Sequence, residues 1–350
     1  MNKFLYEIHE QPAAISNLLS FYSGPPGENL LYRVKDIIEN NTIEQIIFTG
    51  MGSSYFISHA ASELFNKNNL HSFVINTGEL LHYNMKLFDR GTLLVCISQS
   101  GESFEIVEIL TKLNSKVHCI GIVNDEQSTL DRKAGVSLQC KAGREEKTST
   151  KTFIASSLVS FILGWYLSGN WNKEKVRMIE QLAMKIKEVL ENYVPSIGGL
   201  LSFLGDLDTI QIIARGPSFS SASQSALMFR EALHIPATGI LGGEFRHGPM
   251  EMVSEGFKAI LFASPGKTFA QSTKMARDIA GFGGKVMLIT GEKPEIKVDR
   301  IMPVIIDETD EFLFSLLGIV PVQLLIDSYA KARAFEAGNF NRGAKVTKSE

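Results

Sequence analysis

Long apolar runs, cysteine and net charge are all scarce in this chain, and each scarcity removes a class of protein. No stretch approaches about 18 uninterrupted apolar residues, the length that crosses a bilayer; residues 153–168 come nearest, and several serines interrupt them. The N-terminal Met-Asn-Lys-Phe-Leu-Tyr-Glu-Ile-His-Glu has neither an apolar h-region nor a small-residue cleavage site. There are three cysteines, Cys96, Cys119 and Cys140, and none forms a C-x-x-C pair. Cys96 and Cys119 sit in apolar strand-like runs, so buried thiols are expected, with no disulfide framework and no metal site. These absences together point to the cytoplasm. The formal net charge is −3, which argues against nucleic-acid binding and its basic surface. An anionic small molecule stays open as a partner, because a local pocket matters more than the total.

Motifs for metals and nucleotides are missing as well. His9, His59, His71, His82, His118 and His234 show no metal-ligand spacing, and there is no H-E-x-x-H or Asp-rich ion loop. No G-x-G-x-x-G follows a strand with an acidic residue about 20 positions later, so dinucleotide binding is disfavoured. No cofactor is expected.

What is present is an ordinary globular composition, 44% hydrophobic and 21% charged. At 350 residues two domains are expected, since single cores stop growing at about 250–300 residues. Residues 1–28 read as an N-terminal arm: a short amphipathic segment, then Ser-Gly-Pro-Pro-Gly at 23–27, a breaker. A helical pattern covers 29–40, followed by a strand at 43–49, a turn Gly50-Met-Gly-Ser-Ser54, and a helix at 55–65. A strand at 72–75, a loop through Gly78 and Glu79, and strands at 92–97, 117–123 and 136–140 follow, with helices at 104–110 and 127–133. Residues 141–152 are polar and loop-like, and helices at 152–165 and 176–190 bridge to a second half.

That half repeats the order: strand 209–214, turn Arg215-Gly-Pro-Ser-Phe-Ser220, helix 222–233, strands at 259–263, 286–290 and 302–306, helices at 269–280 and 311–332. Strands alternating with helices imply parallel sheets covered by helices on both faces. The organisation is an internal duplication of two doubly wound α/β domains, at 29–193 with the bridging helices and at 194–336. The tail, 337–350, is polar and basic, with Arg342, Lys345 and Lys348.

One polar stretch stands out, Ser98-Gln99-Ser100-Gly101-Glu102-Ser103, between a strand and a helix. Helix N-termini carry unpaired N–H groups and partial positive charge. Serine hydroxyls add donors and Gly101 lets the backbone come close, so the stretch suits a phosphate without any lysine. An N-cap alone needs one serine. Ser53 and Ser54 form a second hydroxyl cluster at the preceding strand-to-helix junction.

Several pieces in order resemble the sugar isomerase (SIS) domain family: Gly52-Ser53-Ser54-Tyr55, Ser98–Ser103, Ser149-Thr-Lys151-Thr-Phe153, Arg215-Gly216, Arg230-Glu231-Ala, Glu244-Phe-Arg-His-Gly-Pro249 and Ala344-Lys345-Val-Thr. They resemble most the isomerase half of the glutamine–fructose-6-phosphate aminotransferases, and also the fructosamine-6-phosphate deglycases. The resemblance covers nearly all the chain after the arm and implies two flavodoxin-like domains. Met228 stands where the synthases carry a lysine. No cysteine follows the initiator Met and no glutaminase segment is present, so glutamine-dependent synthesis is not expected.

The resemblance implies a phosphosugar substrate gripped by Gly52, Ser53, Ser54, Ser98, Gln99, Ser100 and Ser103, with Ser149, Lys151 and Glu244 as further contacts. Moving a proton between C1 and C2 calls for a carboxylate raised by burial, and Glu231 occupies that position. His247 is expected to open the sugar ring and to reach the site of a second copy, which implies a homodimer; Glu244 is placed to orient it. Lys345 serves either as a Schiff-base amine or as an ammonium positioning an open-chain carbonyl. Aldose–ketose isomerisation, deamination of glucosamine-6-phosphate and deglycation of a fructosamine-6-phosphate all share this proton transfer. A sugar-phosphate sensor without catalysis is the alternative from a different class, since it needs the serine stretch alone.

Overall fold

Runs such as Leu93-Leu-Val-Cys-Ile97 are apolar at every position, which suits strands of a parallel sheet covered on both faces, and all of these residues are buried. The computed structural model describes every residue except 89–90, 115–116, 193–196, 296–297, 309, 341–343 and 348–350. It divides into two units, residues 10–183 with 342–350, and residues 1–9 with 184–341. The expected boundary at 193/194, and Arg342 and Lys348 of the tail, lie outside the described residues. The stretch expected as an arm is shared: α1 (Lys3–His9) belongs to the second unit and residues 10–28 to the first.

The first unit starts with α2 (Gln11–Tyr22) and α3 (Pro25–Glu39). The Pro-Pro pair expected to break the chain instead opens α3, because proline at the first helical positions lacks only an N–H that has no partner there. Then come β1 (Gln45–Gly50), α4 (Ser53–Lys67), β2 (Ser72–Asn76), α5 (Thr77–Tyr83), β3 (Thr92–Ser98), α6 (Phe104–Lys112), β4 (His118–Val123), α7 (Thr129–Lys133), β5 (Val136–Gln139) and α8 (Lys151–Leu167). The expected loop at Gly78 and Glu79 is the first turn of α5, capped by the Asn76 side chain, which accepts from the Gly78 N–H at 2.9 Å. Helix α9 (Lys173–Asn192) carries the chain into the second unit.

The five strands are parallel in the order β2-β1-β3-β4-β5. Strand alternation sends Ile47, Leu94, Cys96 and Cys119 to one face, where they pack with Leu80, Ile106, Ile109 and Leu130 of α5, α6 and α7. Phe48 points the other way and meets Phe65 of α4 edge-on at 4.8 Å. Each fully buried side chain of this kind contributes roughly 1.5–3 kcal/mol. Two thiols belong to the first of these faces, Cys96 and Cys119, 3.9 Å apart; the third, Cys140, is buried against Ser156 of α8, and burial pushes it up to about 12, against a Ser156 hydrogen bond that lowers it.

The second unit holds α10 (Ile197–Leu204), β6 (Ile210–Ala214), α11 (Ser218–Leu233), β7 (Ala237–Leu241), α12 (Gly242–Arg246), β8 (Lys258–Ala263), α13 (Phe269–Gly281), β9 (Lys285–Thr290), β10 (Ile301–Ile305) and α14 (Glu311–Ala332). Its parallel sheet runs β10-β9-β8-β6-β7, the first unit's order read from the other edge. Sequence patterning missed β7, a five-residue edge strand with a central glycine, and the short helices α10 and α12. Helix α14 is long and apolar enough to cross a membrane by length and composition, yet 94% of its apolar window is buried inside the protein. It is a core helix, apolar all round because it is covered all round.

Gly239 sets how closely α11 lies on β7: a Cβ there would stand 2.6 Å from the Ser223 Cα. Gly239→Val is therefore expected to destabilise the second unit by about 1–3 kcal/mol through overpacking against backbone that cannot yield. Urea denaturation followed by tryptophan-independent far-UV signal measures this, and an unchanged midpoint would show that the contact is not close in solution.

Candidate functional site

In a doubly wound sheet the crevice opens where strand order reverses, beyond the carboxyl ends of the two strands that flank the switch. In the first unit these are β1 and β3, paired through Thr49 and Cys96. The chain places Gly52, Ser53 and Ser54 after β1, and Ser98–Ser103 from the last residue of β3 to the start of α6, so both hydroxyl clusters sit at one switch point.

The loop after β3 is built by its own serines. The Ser98 hydroxyl accepts from the Gly101 N–H at 3.1 Å, and the Ser100 hydroxyl accepts from the Glu102 N–H at 3.3 Å. A hydroxyl that accepts in this way still has its proton to donate. Gly101 is held at φ +61, and a Cβ there would collide with the Ser128 hydroxyl. The Glu102 carboxylate turns away from the crevice to cap α7, accepting from the Thr129 N–H and, at 3.0 Å, from its hydroxyl. Ser103 precedes α6 without capping it through its side chain. The side chains of Ser53, Ser54 and Gln99 are half-buried and make no hydrogen bond among the described residues. Two helix starts and a row of polar side chains thus lie at one switch point, an arrangement that suits an anion.

Asn124 ties this loop to the next segment. Its N–H donates to the Gln99 carbonyl at 3.1 Å, and its side chain bonds the Ala142 N–H at 3.0 Å and the Gly143 carbonyl at 2.8 Å. Two residues on lies Glu145, which sequence reasoning missed. Its carboxylate is fully buried and accepts from the Thr150 N–H (2.9 Å) and hydroxyl (3.2 Å), the Thr152 N–H (3.1 Å) and hydroxyl, and the Lys345 ammonium (2.7 Å). Burial pushes this carboxyl up, but the Lys345 charge and these hydrogen bonds outweigh it and hold Glu145 below the usual carboxylate range. A carboxylate just ahead of two threonines at a helix start was the only local signal; its lysine partner lies in the tail.

The other expected contacts of this unit are already engaged. Lys151, 2% exposed, forms an ion pair with Glu10 at 2.8 Å. The Ser149 and Thr152 hydroxyls are 2.7 Å apart at the start of α8. Lys345 also donates to the Lys147 carbonyl at 2.8 Å, and the Thr347 carbonyl accepts from the Phe104 N–H at 3.1 Å, at the first residue of α6. The structure thus brings the serine loop, the α8 start and the tail lysine together within one unit.

Glu231, Glu244 and His247 lie in the second unit. Glu231 is half-buried on the last turn of α11, flanked by buried Met228, Phe229, Ala232 and Leu233. His247 is exposed just past α12, on the loop imposed by Gly248 and Pro249. Glu244 has an exposed side chain, and it is its carbonyl that meets His247, accepting the His247 N–H at 3.0 Å. Arg246 pairs with Asp278 of α13 at 2.7 Å and so moors this loop. Partial burial raises the Asp278 carboxyl, but Lys274 and Arg246 outweigh it and hold it low.

Fold and crevice together define a duplicated, doubly wound α/β protein with a hydroxyl-lined switch point. The chain belongs to the SIS domain family, whose model matches residues 41–163 and 204–319. It is similar to a glutamine–fructose-6-phosphate aminotransferase [isomerizing] of Bradyrhizobium diazoefficiens, 28% identical over 341 residues, covering 93% of this chain and 55% of the relative. The chain spans about half the length of the curated relatives it matches. Among solved structures it resembles the C-terminal domain of glucosamine-fructose-6-phosphate aminotransferase from Francisella tularensis, with TM-score 0.84, 24% identity and coverage of 97% of this chain and 98% of that one. It also resembles glucosamine-6-phosphate deaminase from Thermotoga maritima, with TM-score 0.73, 21% identity and 99% coverage of both chains. At these identities the two structures establish the shared fold.

The Glu145–Lys345 pair has a signed pH consequence. Glu145 is more acidic folded than unfolded, so as pH falls the unfolded chain takes up this proton first. Stability from the pair is present above about pH 4.3, the unfolded value, and is lost as pH falls through the folded value. The melting temperature of the unmodified protein is expected to drop more steeply below about pH 5 than that of Glu145→Gln. Parallel curves in a pH series of thermal melts would show no such linkage.

Proposed function

We propose that this chain is a phosphosugar-processing enzyme acting on a hexosamine- or fructosamine-6-phosphate through proton transfer between C1 and C2. The observation that carries the proposal is the crevice between β1 and β3. Ser53, Ser54, Ser98, Gln99, Ser100 and Ser103 offer donors with no cation among them, which suits a phosphate held by neutral hydrogen bonds and helix starts. The names of the relatives, an isomerizing aminotransferase and a glucosamine-6-phosphate deaminase, support the same substrate class.

In this proposal Glu231 takes the proton from one carbon and returns it to the next, a role suited to a half-buried carboxylate among apolar neighbours. His247 opens the ring, reaching the site of a second copy of the chain, since it is exposed on a moored loop. Lys345 brings a cation to the crevice side of the first unit, where an open-chain carbonyl oxygen gathers charge during enolisation. Serine and glutamine grip the phosphate, and Ser149, Lys151 and Glu244 support the framework around the sugar.

Glucosamine-6-phosphate, fructose-6-phosphate and a fructosamine-6-phosphate, each assayed for product by NMR, separate isomerase, deaminase and deglycase. Turnover of one of them is expected, with Glu231→Gln reducing kcat by about 10²–10⁴-fold, the usual worth of a positioned general base. Absence of product from all three, together with a thermal shift on hexose 6-phosphates, would instead make the chain a sugar-phosphate sensor.

A further inference from the structure

We propose that Glu145 is the positioning residue for Lys345, and that through this lysine it clamps the tail onto the first turn of α6 beside the serine loop. This inference rests on the proposed function for its activity readout and on geometry alone for its structural one.

Three observations carry it. First, Glu145 is a fully buried carboxylate whose hydrogen bonds come from two sources, the start of α8 and the tail. The α8 bonds fix its position, because Thr150 and Thr152 each give it an N–H and a hydroxyl. Lys345 is therefore the mobile partner and Glu145 the fixed one. Second, Lys345 is held at two points, the carboxylate at 2.7 Å and the Lys147 carbonyl at 2.8 Å, so its ammonium has a defined place as well as a counter-ion. Third, two residues beyond Lys345 the Thr347 carbonyl takes the Phe104 N–H, one of the orphan donors of α6. Unbroken bonding thus runs from Glu145 through Lys345 and Thr347 to the helix start that follows Ser98–Ser103. From the other side, Asn124 joins Gln99 to residues 142 and 143, two positions before Glu145. Carboxylate and serine loop are two corners of one frame.

The frame gives Glu145 work beyond capping α8, since Ser, Thr or Asp at the helix start would cap it without reaching the tail. A charge buried this completely is tolerated only when paired, so removing Lys345 leaves Glu145 uncompensated. Removing Glu145 frees Lys345 to roam with the tail, and the α6 N–H goes back to solvent.

The test is a double-mutant cycle on the full chain with Glu145→Gln, Lys345→Met and both together. Glutamine keeps the shape but loses the charge and turns one acceptor oxygen into a donor. Hydrogen–deuterium exchange at the Phe104 amide is read without substrate. Each single variant is expected to raise its exchange about tenfold or more, and the double variant no further than the larger single, as for residues acting through one contact. Lys345→Arg, which preserves the ion pair, is expected to restore slow exchange. Turnover of the active sugar phosphate is expected to follow the same non-additive pattern in kcat/KM. Unchanged Phe104 exchange in either single variant, or effects that multiply in the double, would overturn the clamp. Should Glu145→Gln fail to fold, Lys345→Met and Lys345→Arg decide it from the tail side. Because the exchange arm needs no substrate, absence of turnover overturns the enzyme proposal and leaves the clamp to its own result.

Discussion

A parallel sheet buried on both faces confines polar chemistry to its strand ends. Within β3 every side chain is covered, Ser98 at its end included, so the first partly exposed polar side chains this chain can present are Gln99 and Ser100, just past the strand. The helices that follow β1 and β3 must then start with N–H groups that have no intrahelical partner, and the strand order reverses between them. Everything in the site of the first unit answers that constraint. Serines fold back on the loop, Gly101 passes close to Ser128, and Glu102 is turned aside to cap α7 rather than crowd the crevice with negative charge.

Two buried ionised groups of the first unit are each held by a partner of opposite charge. Lys151 is matched by Glu10, and Glu145 by Lys345 with four further donors. Such pairs are weak evidence for stability, because desolvation opposes the Coulombic gain. What they confer is position. The ammonium of Lys345 could take many places on a polar tail; the buried carboxylate selects one. In the second unit the Arg246–Asp278 pair does similar work at a more exposed site, where screening leaves it worth little in stability.

Local signals were legible where one element carried its own instructions. The helix expected at 311–332 is α14, because Asp310 caps it, accepting from the Phe312 and Leu313 N–H groups, and the apolar run continues to its end. The serine stretch was legible too, since strand, hydroxyls, glycine and helix follow one another within a dozen residues. Pro25-Pro26 misled because a proline pair breaks a helix or begins one depending on which side the helix lies. Residues 77–83 misled because Asn76 supplies a cap that outweighs the glycine behind it. Glu145 was invisible for a different reason: its meaning lies in a residue at the opposite end of the chain.

Periodicity, caps and hydroxyl clusters, all short-range, were enough to determine two α/β halves with parallel sheets and to locate the serine loop between β3 and α6. The family likeness placed Glu231, His247 and Lys345 on the chain as residues of interest. Which ionisable groups are buried, and which partner each one meets, was decided only by the tertiary structure. The family likeness marked Lys345 as a catalytic candidate and Lys151 as a substrate contact, and neither reading held a sign that one is drawn to Glu145 and the other to Glu10. The physical reason is that a buried charge takes its position from whatever opposite charge the fold brings within about 3 Å, and that pairing is long-range in the chain.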